Sequence, residues 1–200
     1  MKADFDSEVC VVLLAGGLSS RFGSDKSRVQ IDGRRSIDRI VSACTGLGSL
    51  LVVGGEPELV RGEHRWVPDL HPGEGPLQAL VSASEYLSGR GFLVLPCDLP
   101  LITTRHLELL CSELPEGYDA RIPRLHGRAQ YLAAFYGASA LNSLRSCWEG
   151  GGRSMRGFVK TLSVQWLDEG RFHAENLDTR AFTDFDTPSD LEAIESLKIN

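Results

Sequence analysis

One glycine-rich segment, Leu13 to Ser27, constrains this chain more than any other part of it. The segment reads LLAGGLSSRFGSDKS and overlaps the end of a short apolar run, residues 10–14, which predicts a buried strand. Glycines let the backbone approach a ligand closely, and successive backbone N–H groups can form an anion-binding concavity. Because Arg21 and Lys26 add positive charge to the same loop, the segment predicts a phosphate-binding site at the end of a strand.

Two familiar phosphate motifs do not describe this loop. A P-loop needs lysine directly after its second glycine, but two residues separate Gly23 from Lys26. The dinucleotide fingerprint G-x-G-x-x-G also fails, because Gly16 and Gly17 are adjacent. The alternative to a phosphate site is a flexible loop whose charges only face water.

Composition and charge restrict the class of protein. The chain has 200 residues, 42% of them apolar, which is typical of a single globular domain with a sizeable core. We expect one domain that spans residues 1–200. The net charge of −6 argues against non-specific nucleic-acid binding, so a phosphate site here must be locally basic within an acidic protein.

Cellular context is predicted from the N-terminus and the cysteines. The start of the chain, MKADFDSEV, is acidic and lacks the apolar core of a signal peptide, and no apolar run has the length of a membrane span. The five cysteines are scattered, and no second cysteine or histidine stands at zinc-ligand spacing. We therefore expect a cytoplasmic protein with reduced core thiols, no membrane association and no zinc site.

Strands and helices alternate along the first half of the chain. The strands are continuous apolar runs, which favours a parallel sheet covered on both faces. The second half changes character, because two extended runs flank the turn 125–128 and predict an antiparallel excursion. The fold class we predict is an α/β three-layer sandwich with a mostly parallel sheet. We predict strands at 10–14, 50–53, 66–67, 92–95, 120–123, 132–136 and 164–167, and helices at 36–44, 139–148, 154–162 and from 189. Two further helices are predicted, one that begins at Pro76 with an apolar face at 77–87, and one capped by Thr103 or Thr104 with Leu107, Leu110 and Cys111 buried.

Four polar elements directly follow predicted strands: the first loop, the pair Gly54-Gly55, Asp98 and Asp186. Ligands of open α/β sheets bind beyond the carboxyl ends of the strands, so these elements should gather at one edge. A carboxylate beside bound phosphates suits Mg²⁺, which takes one or two carboxylates plus phosphate oxygens and water. We therefore expect Asp98, and Asp186 with it, to bind Mg²⁺; the alternative for each is a turn-forming or helix-capping aspartate.

A second loop, residues 68–76, combines Asp69 with two glycines. Asp69 either contacts the base or ribose of a nucleotide or only closes an Asx-turn. His71 and His126 have no triad-like partners, and no G-x-S-x-G motif indicates a hydrolase. A phosphate loop combined with a carboxylate that suits magnesium indicates phosphoryl or nucleotidyl transfer.

These residues resemble the signature of the molybdenum cofactor guanylyltransferases, members of the nucleotide-diphospho-sugar transferase superfamily with a Rossmann-like fold. The first motif that carries the resemblance is L-A-G-G-x-S-x-R-x-G-x-D-K at 14–26. The later motifs follow in family order: Asp69 with G-x-G-P-L at 73–77, P-C-D-x-P at 96–100, R-x-Q-x-L-x-A-x-Y at 128–136 and D-T-P-x-D-L at 186–191. The pair Gly16-Gly17, rather than Ala-Gly, favours guanine over cytosine as the base.

The resemblance implies that GMP is transferred from GTP to a molybdopterin-type molybdenum cofactor, with release of pyrophosphate. Arg21, Lys26 and Asp98 would be catalytic, and Mg²⁺ would be bound by Asp98 and Asp186. The half at 1–115 would then bind the nucleotide and the half at 116–200 the acceptor, and the partners would be molybdoenzymes or other cofactor-synthesis proteins. Within the second half we select Arg128, Gln130 and Arg156 as acceptor-binding candidates, because they are cations and an amide, rather than from the family motif. The nucleotide would be bound by Leu14, Ala15, Gly16, Gly17, Lys26, Gly54, Asp69 and Asp98.

The chain departs from the family pattern at a few positions. The family often has asparagine where this chain has Gly54-Gly55, Phe22 replaces a methionine, Tyr131 stands where proline is common, and Asp186 replaces a frequent asparagine. Two alternatives therefore stay open. One is a nucleotidyltransferase that uses CTP or a different phosphorylated acceptor such as a sugar phosphate. The other is a non-catalytic GTP-binding partner protein.

Overall fold

Residues 9–16, 28–185 and 187–197 are described by a computed structural model, which we use as the structure of the protein. The strands are β1 (Val9–Leu14), β2 (Gln30–Ile31), β3 (Arg34–Arg35), β4 (Ser49–Val53), β5 (Arg65–Val67), β6 (Gly91–Pro96), β7 (Ala120–Leu125), β8 (Arg128–Ala129), β9 (Ala134–Gly137) and β10 (Val164–Leu167). The α-helices are α1 (Ser36–Ala43), α2 (Pro76–Ala83), α3 (Thr104–Cys111), α4 (Ala138–Glu149), α5 (Met155–Val159), α6 (Glu169–Ala174) and α7 (Pro188–Ser196). Two 3₁₀ helices lie at Ser84–Tyr86 and Thr179–Phe182.

The main sheet has the strand order β10-β7-β9-β6-β1-β4-β5, with β8 paired to β7. The pairs β1–β4, β1–β6, β4–β5 and β7–β10 are parallel, while β9 runs antiparallel to both β6 and β7. The predicted parallel core and antiparallel excursion are thus confirmed. The carboxyl ends of β5, β4, β1 and β6 lie in this order along one edge of the sheet.

Helices cover both faces of the sheet because its strands are apolar on both sides. In β1, Val9, Val11 and Leu13 pack into one core, and the three alternate residues of the strand pack into the other. The first core includes Ile37 of α1 and Leu107 of α3, while the second core is formed with α2, α4 and α5. The result is a three-layer sandwich, as the continuous apolar strands predict.

Some local features differ from the sequence prediction. The strand expected at 132–136 begins only at Ala134, because the chain first turns back with the Ala133 N–H donating to the carbonyl of Gln130 at 3.1 Å. The helix expected at 154–162 is shorter, spanning Met155–Val159, and Ser154 caps its N-terminus. The small hairpin of β2 and β3 and the helix α6 were not predicted. Ile31 of that hairpin packs with Ile194 of α7 in a separate small core.

The cysteines are confirmed as thiols, three of them in the core. None of the five, all of which lie in the described part of the chain, forms a disulfide, and Cys10, Cys44 and Cys111 are buried. Burial raises the pKa of Cys44 and of Cys111 to about 12, so both are protonated at neutral pH. Across the described ranges, no helix has both the length and the apolar character needed to cross a membrane.

Candidate active site

A cavity of about 710 Å³ opens at the carboxyl ends of β1, β4, β5 and β6. It lies where the strand order of the parallel core predicts a ligand site. Three of the polar elements that were expected to meet do so here, namely the start of the first loop, the Gly54-Gly55 pair and Asp98. The cavity is lined by six residues that the sequence assigned to the nucleotide: Leu14, Ala15, Gly16, Gly54, Asp69 and Asp98.

The floor of the cavity is formed where the backbone after β1 crosses the backbone after β4. The Ala15 and Gly16 N–H groups both donate to the carbonyl of Val53, at 2.9 and 3.2 Å, and the Gly54 N–H donates to the carbonyl of Val67 at 2.9 Å. These bonds fix the ends of β1, β4 and β5 to one another. Gly54 has a φ of +74°, and a Cβ at this position would lie 2.9 Å from the Cα of Gly16. A side chain is therefore excluded at Gly54 by both backbone conformation and space.

The loop after β5 places Asp69 over this floor. Its Oδ1 atom accepts a hydrogen bond from the His71 N–H at 3.2 Å, which is the Asx-turn expected as one alternative. Its Oδ2 atom lies 3.7 Å from the position that a Cβ on Gly16 would occupy, so the second oxygen faces the floor. The turn and a ligand contact are therefore compatible. The Leu70 N–H donates to Ser82 Oγ at 3.4 Å, which ties the loop to α2.

Asp98 follows β6 on the other side of the cavity and is half-buried. Pro96 and Pro100 restrict the backbone on both sides of it. The Ser36 hydroxyl donates to the carbonyl of Cys97 at 2.8 Å, which anchors this turn to the start of α1. The carboxylate is thus held on a fixed strand-to-loop turn rather than on a long side chain at the surface.

The chemistry of this site fits Mg²⁺ that is shared with a substrate. Within the described ranges, no group of three or more histidine, cysteine, aspartate or glutamate residues could form a complete protein cage for a metal. The carboxylate of Asp98, which lines the cavity, suits an ion that completes its shell with phosphate oxygens and water.

The acceptor-binding candidates do not line the cavity. Arg128 and Arg156 are exposed, on β8 and α5 respectively. Gln130 is half-buried, and its N–H donates to the carbonyl of Pro123 at 2.9 Å. Since the same turn places Leu132 in the cavity wall, Gln130 lies on the segment that approaches the site.

Four candidates, Gly17, Arg21, Lys26 and Asp186, lie outside the described residues. Their assignments to the nucleotide, to catalysis and to the metal stay predictions from the sequence.

Sequence reasoning missed one prominent lining residue, Trp66. Its indole Nε1–H donates to the carbonyl of Gly54 at 3.1 Å. In the sequence Trp66 is one member of an apolar pair and reads as a core residue. The only signal was its place on the strand that neighbours β4, just before the loop of Asp69.

A second cavity of about 550 Å³ lies between α1, the loop before α3 and α7. One of its charged groups, Arg39, is engaged by the protein itself, since its guanidinium donates to the carbonyl of Ile31 at 2.7 Å and to Asp32 at 3.1 Å. None of the described nucleotide-binding candidates lines this cavity.

The parallel core, the glycine-lined cavity at the strand ends and the fixed carboxylate define an α/β protein of the nucleotide-binding transferase class. A model of the MobA-like NTP transferase domain matches residues 11–165. The chain therefore belongs to the MobA-like NTP transferase domain family.

Comparisons with individual proteins agree with this family. A probable molybdenum cofactor guanylyltransferase of Bacillus cytotoxicus is 28% identical over 174 residues, which cover 84% of this chain and 87% of the relative. A protein of Bacillus cereus with the same name is 28% identical over 163 residues, covering 78% and 82%.

Solved structures show the same fold. The molybdopterin-guanine dinucleotide biosynthesis protein A of Archaeoglobus fulgidus superposes with a TM-score of 0.77 at 25% identity, covering 93% of this chain and 96% of that one. A CMP:2-keto-3-deoxy-manno-octonic acid synthetase in complex with CTP has a TM-score of 0.70 at 14% identity, covering 95% and 98%, and shows a likeness of fold alone.

Proposed function

We propose that this protein transfers the guanylyl group of GTP to the phosphate of a molybdopterin-type molybdenum cofactor, with release of pyrophosphate. The observation that carries the proposal is the convergence of three separate sequence motifs on one cavity. Gly16 from the first loop, Asp69 from the second and Asp98 from the third all line it. The names of the Bacillus and Archaeoglobus relatives support the choice of base and acceptor.

In the proposed reaction, a phosphate oxygen of the molybdopterin attacks the α-phosphorus of GTP. One P–O bond forms there, and the bond from the α-phosphorus to the oxygen bridging to the β-phosphate breaks. Pyrophosphate leaves with the bonding electron pair. The attacking phosphate is already anionic, so the step needs no general base, and catalysis depends on positioning and on neutralising charge.

Each part of the site has a role in this scheme. The floor at Gly16 and Gly54 and the carboxylate of Asp69 bind the nucleoside, and Asp98 faces the phosphates. Arg21 and Lys26 neutralise the triphosphate and the leaving pyrophosphate. When bound, Mg²⁺ would supply positive charge to the phosphate oxygens, and Asp98, together with Asp186, would hold it.

The acceptor would bind on the side of the cavity formed by the second half of the chain, near Arg128, Gln130 and Arg156. The strand β7 runs parallel to β6 at a position two strands away. Arg128 is paired with Leu125, the last residue of β7, and the backbone N–H of Gln130 donates to the carbonyl of Pro123, so both residues lie beside the carboxyl-terminal end of that strand. A protein that makes this product in the cytoplasm would pass it to molybdoenzymes or to other proteins of cofactor synthesis.

A pyrophosphate-release assay with purified protein, Mg²⁺ and molybdopterin tests the proposal. We expect release from GTP, none from CTP, and none when molybdopterin is omitted. Equal turnover of CTP would contradict the guanine assignment. Turnover with a sugar phosphate in place of molybdopterin would contradict the acceptor assignment and favour the alternative transferase.

A thermal-shift panel of nucleotides with Mg²⁺ separates catalysis from binding. At a given concentration, a ligand that binds only the folded state raises the melting temperature more when it binds more tightly, so GTP should stabilise the protein more than ATP, CTP or UTP. Stabilisation by GTP without any turnover on molybdopterin or sugar phosphates would favour a non-catalytic GTP-binding partner. No preference for GTP would contradict both guanine-based proposals.

A further inference from the structure

We propose that Trp66 is a specificity-determining residue of the nucleotide site. Its indole forms the wall on which the nucleobase stacks, and it fixes the Gly54–Gly55 turn that contacts the edge of the base. The inference rests on the proposed function, because it assumes that a nucleotide occupies the cavity. It adds a residue that the sequence motifs do not contain.

The strand order determines which end of the cavity receives the base. The lining residues come from strand ends in the order β5, β4, β1, β6, and three strand spacings of about 4.8 Å place β5 about 14 Å from β6. Asp98 follows β6, so phosphates that share a cation with Asp98 lie at that end. The base of the same nucleotide then extends toward β4 and β5, where Trp66 lines the cavity.

Trp66 presents an apolar surface whose polar atom is already satisfied. The indole Nε1–H donates to the carbonyl of Gly54 at 3.1 Å, and the ring is half-buried against the core on the α1 and α3 side of the sheet. A tryptophan held by its N–H in this way cannot rotate freely, and it lines the cavity in this fixed orientation. Aromatic rings of this kind stack on nucleobases with little cost in side-chain entropy.

The same hydrogen bond fixes the turn next to the base. Gly54 and Gly55 have φ values of +74° and +64°, and Gly55 is exposed at the cavity. If Gly16 carried a Cβ atom, that atom would lie 3.9 Å from the nitrogen of Gly55 and 3.7 Å from Oδ2 of Asp69. A backbone nitrogen and a carboxylate oxygen thus both lie near Gly16 at the floor of the cavity. This pattern matches the acceptor and donors of guanine at O6, N1 and N2 without an asparagine side chain.

The other two tryptophans provide an internal control. Trp148 is covered by the guanidinium of Arg153, and Trp166 by that of Arg124, each 3.8 Å from the ring centroid. Trp166 lies on β10, at the end of the sheet opposite to β5. Stacking of a base on Trp66 should quench its fluorescence and leave the emission of Trp148 and Trp166 unchanged.

The experiment compares Trp66→Phe and Trp66→Leu with Trp166→Phe, after circular dichroism has confirmed that each variant is folded. GTP and CTP are titrated in the presence of Mg²⁺, and affinity is measured by equilibrium dialysis alongside tryptophan fluorescence. We expect Trp66→Leu to weaken GTP binding by about ten- to a hundred-fold, the range that the loss of one stacked aromatic ring produces. Trp66→Phe keeps a ring but loses the clamp on Gly54, so the affinity ratio of GTP to CTP should fall several-fold. Trp166→Phe should change neither quantity.

A further variant, in which Trp66 itself is unchanged, tests the assignment without altering the site. In the double variant Trp148→Phe, Trp166→Phe, Trp66 is the only tryptophan, and we expect GTP to quench its emission in a saturable way. No quenching there, or quenching that persists in Trp66→Phe, would overturn the assignment. If the unmodified protein binds no GTP at all, the proposed function is wrong; if it binds GTP but base preference and quenching do not depend on Trp66, only this inference is wrong.

Discussion

Gly16 and Gly54 are in backbone contact, so close that a Cβ on Gly54 would lie 2.9 Å from the Cα of Gly16 and 3.0 Å from its nitrogen. Two strand ends that are neighbours in the sheet thus cross without a side chain between them. The two glycines line the cavity and form the floor of the candidate nucleotide site. Because Gly54 also has a positive φ, its identity is constrained by conformation and by space together.

Gly54→Ala should therefore impair both folding and ligand binding. The positive φ alone costs an alanine about 1 kcal/mol, and the contact with Gly16 adds about 1–3 kcal/mol unless the floor shifts. We expect a lower free energy of unfolding in urea and, because the floor moves, GTP affinity reduced by about tenfold or more.

The matched control for this variant is Gly33→Ala. Gly33 has the same φ of +74°, but nothing lies within 4 Å of its Cβ position. The Gly33→Ala variant should lose only the free energy of unfolding that the positive φ costs, about 1 kcal/mol, and should bind GTP as the wild type does. Equal effects of the two variants on GTP binding would show that the contact with Gly16 does not shape the site.

Asp98→Asn tests the carboxylate at the other end of the cavity. Asparagine keeps the size of the side chain but removes the negative charge that suits a magnesium ion, so turnover should fall by about 10²- to 10³-fold. GTP binding should weaken only modestly, because the floor and Asp69 are intact. The measurements are pyrophosphate release and equilibrium dialysis, with Glu108→Gln, an exposed position on α3, as the control. Unchanged turnover in Asp98→Asn would refute a role for this carboxylate in the reaction.

The sequence was sufficient to predict the parallel core and much of the candidate site. Continuous apolar runs such as 92–95 predict buried parallel strands, and polar residues that directly follow such strands must meet at one edge. This reasoning found Gly54 and Asp98 without coordinates, because their place depends on local chain order, and the glycine-containing loop 68–76 drew attention to Asp69. It also predicted the antiparallel excursion from the turn at 125–128.

Other features depend on contacts that the sequence does not display. In the sequence Trp66 looks like a core residue. Its place at the site is set by the pairing of β5 with β4, which brings the indole beside the carbonyl of Gly54. The helix α6 has few apolar residues, and its formation depends on Phe172 packing into a core built by distant strands. Long-range pairing of this kind is set by tertiary structure rather than by local propensity.

Arg121 should be a strong determinant of stability away from the site. It is only 5% exposed, and its guanidinium donates to Gln165 Oε1 at 2.7 Å, to the carbonyl of Leu110 at 3.1 Å and to that of Glu113 at 2.7 Å. It thereby satisfies carbonyls at the C-terminal end of α3, which have no partner within the helix. Arg121→Met would leave these carbonyls buried and unsatisfied, at a cost of about 2–4 kcal/mol in the free energy of unfolding.

The control for Arg121 is Arg124→Met on the same strand. Arg124 is exposed and stacks on Trp166, so its loss should cost about 0.5–1 kcal/mol. Urea unfolding of the two variants measures the difference. Similar values for both would mean that water or nearby groups replace the guanidinium of Arg121 without cost.

His106 should make stability depend on pH. The side chain is buried with a residue exposure of 2%, its ring packs against Phe172 and Phe182, and burial lowers its pKa below the usual value near 6.5. Its Nε2–H donates to the carbonyl of Asp178 at 3.1 Å, and Nδ1 therefore accepts from the hydroxyl of Thr103 at 2.7 Å. The folded protein thus holds the neutral ring, in the tautomer protonated at Nε2.

The sign of the effect follows from proton binding. Between the lowered pKa of the folded state and about 6.5, the unfolded chain binds more protons than the folded one, so the free energy of unfolding decreases as the pH falls. The slope contributed by one such histidine is at most about 1.4 kcal/mol per pH unit. The pKa of Asp178 is also lowered from its usual value, chiefly by its hydrogen bonds with Arg180, so that carboxylate stays charged between pH 5 and 7. Urea unfolding between pH 5 and 7 should reveal the dependence on His106.

His106→Gln isolates this contribution, because its amide can donate to the carbonyl of Asp178 and accept from Thr103 but does not titrate. We expect the variant to be less stable than the wild type at pH 7.5, where the ring is neutral and well packed, and to lose less stability on acidification to about pH 5.5. His173→Gln on the exposed side of α6 should keep the wild-type slope. If the free energy of unfolding of His106→Gln depends on pH as steeply as that of the wild type, the acid sensitivity comes from other groups. A histidine contributes to this dependence only when its pKa differs between the folded and the unfolded state.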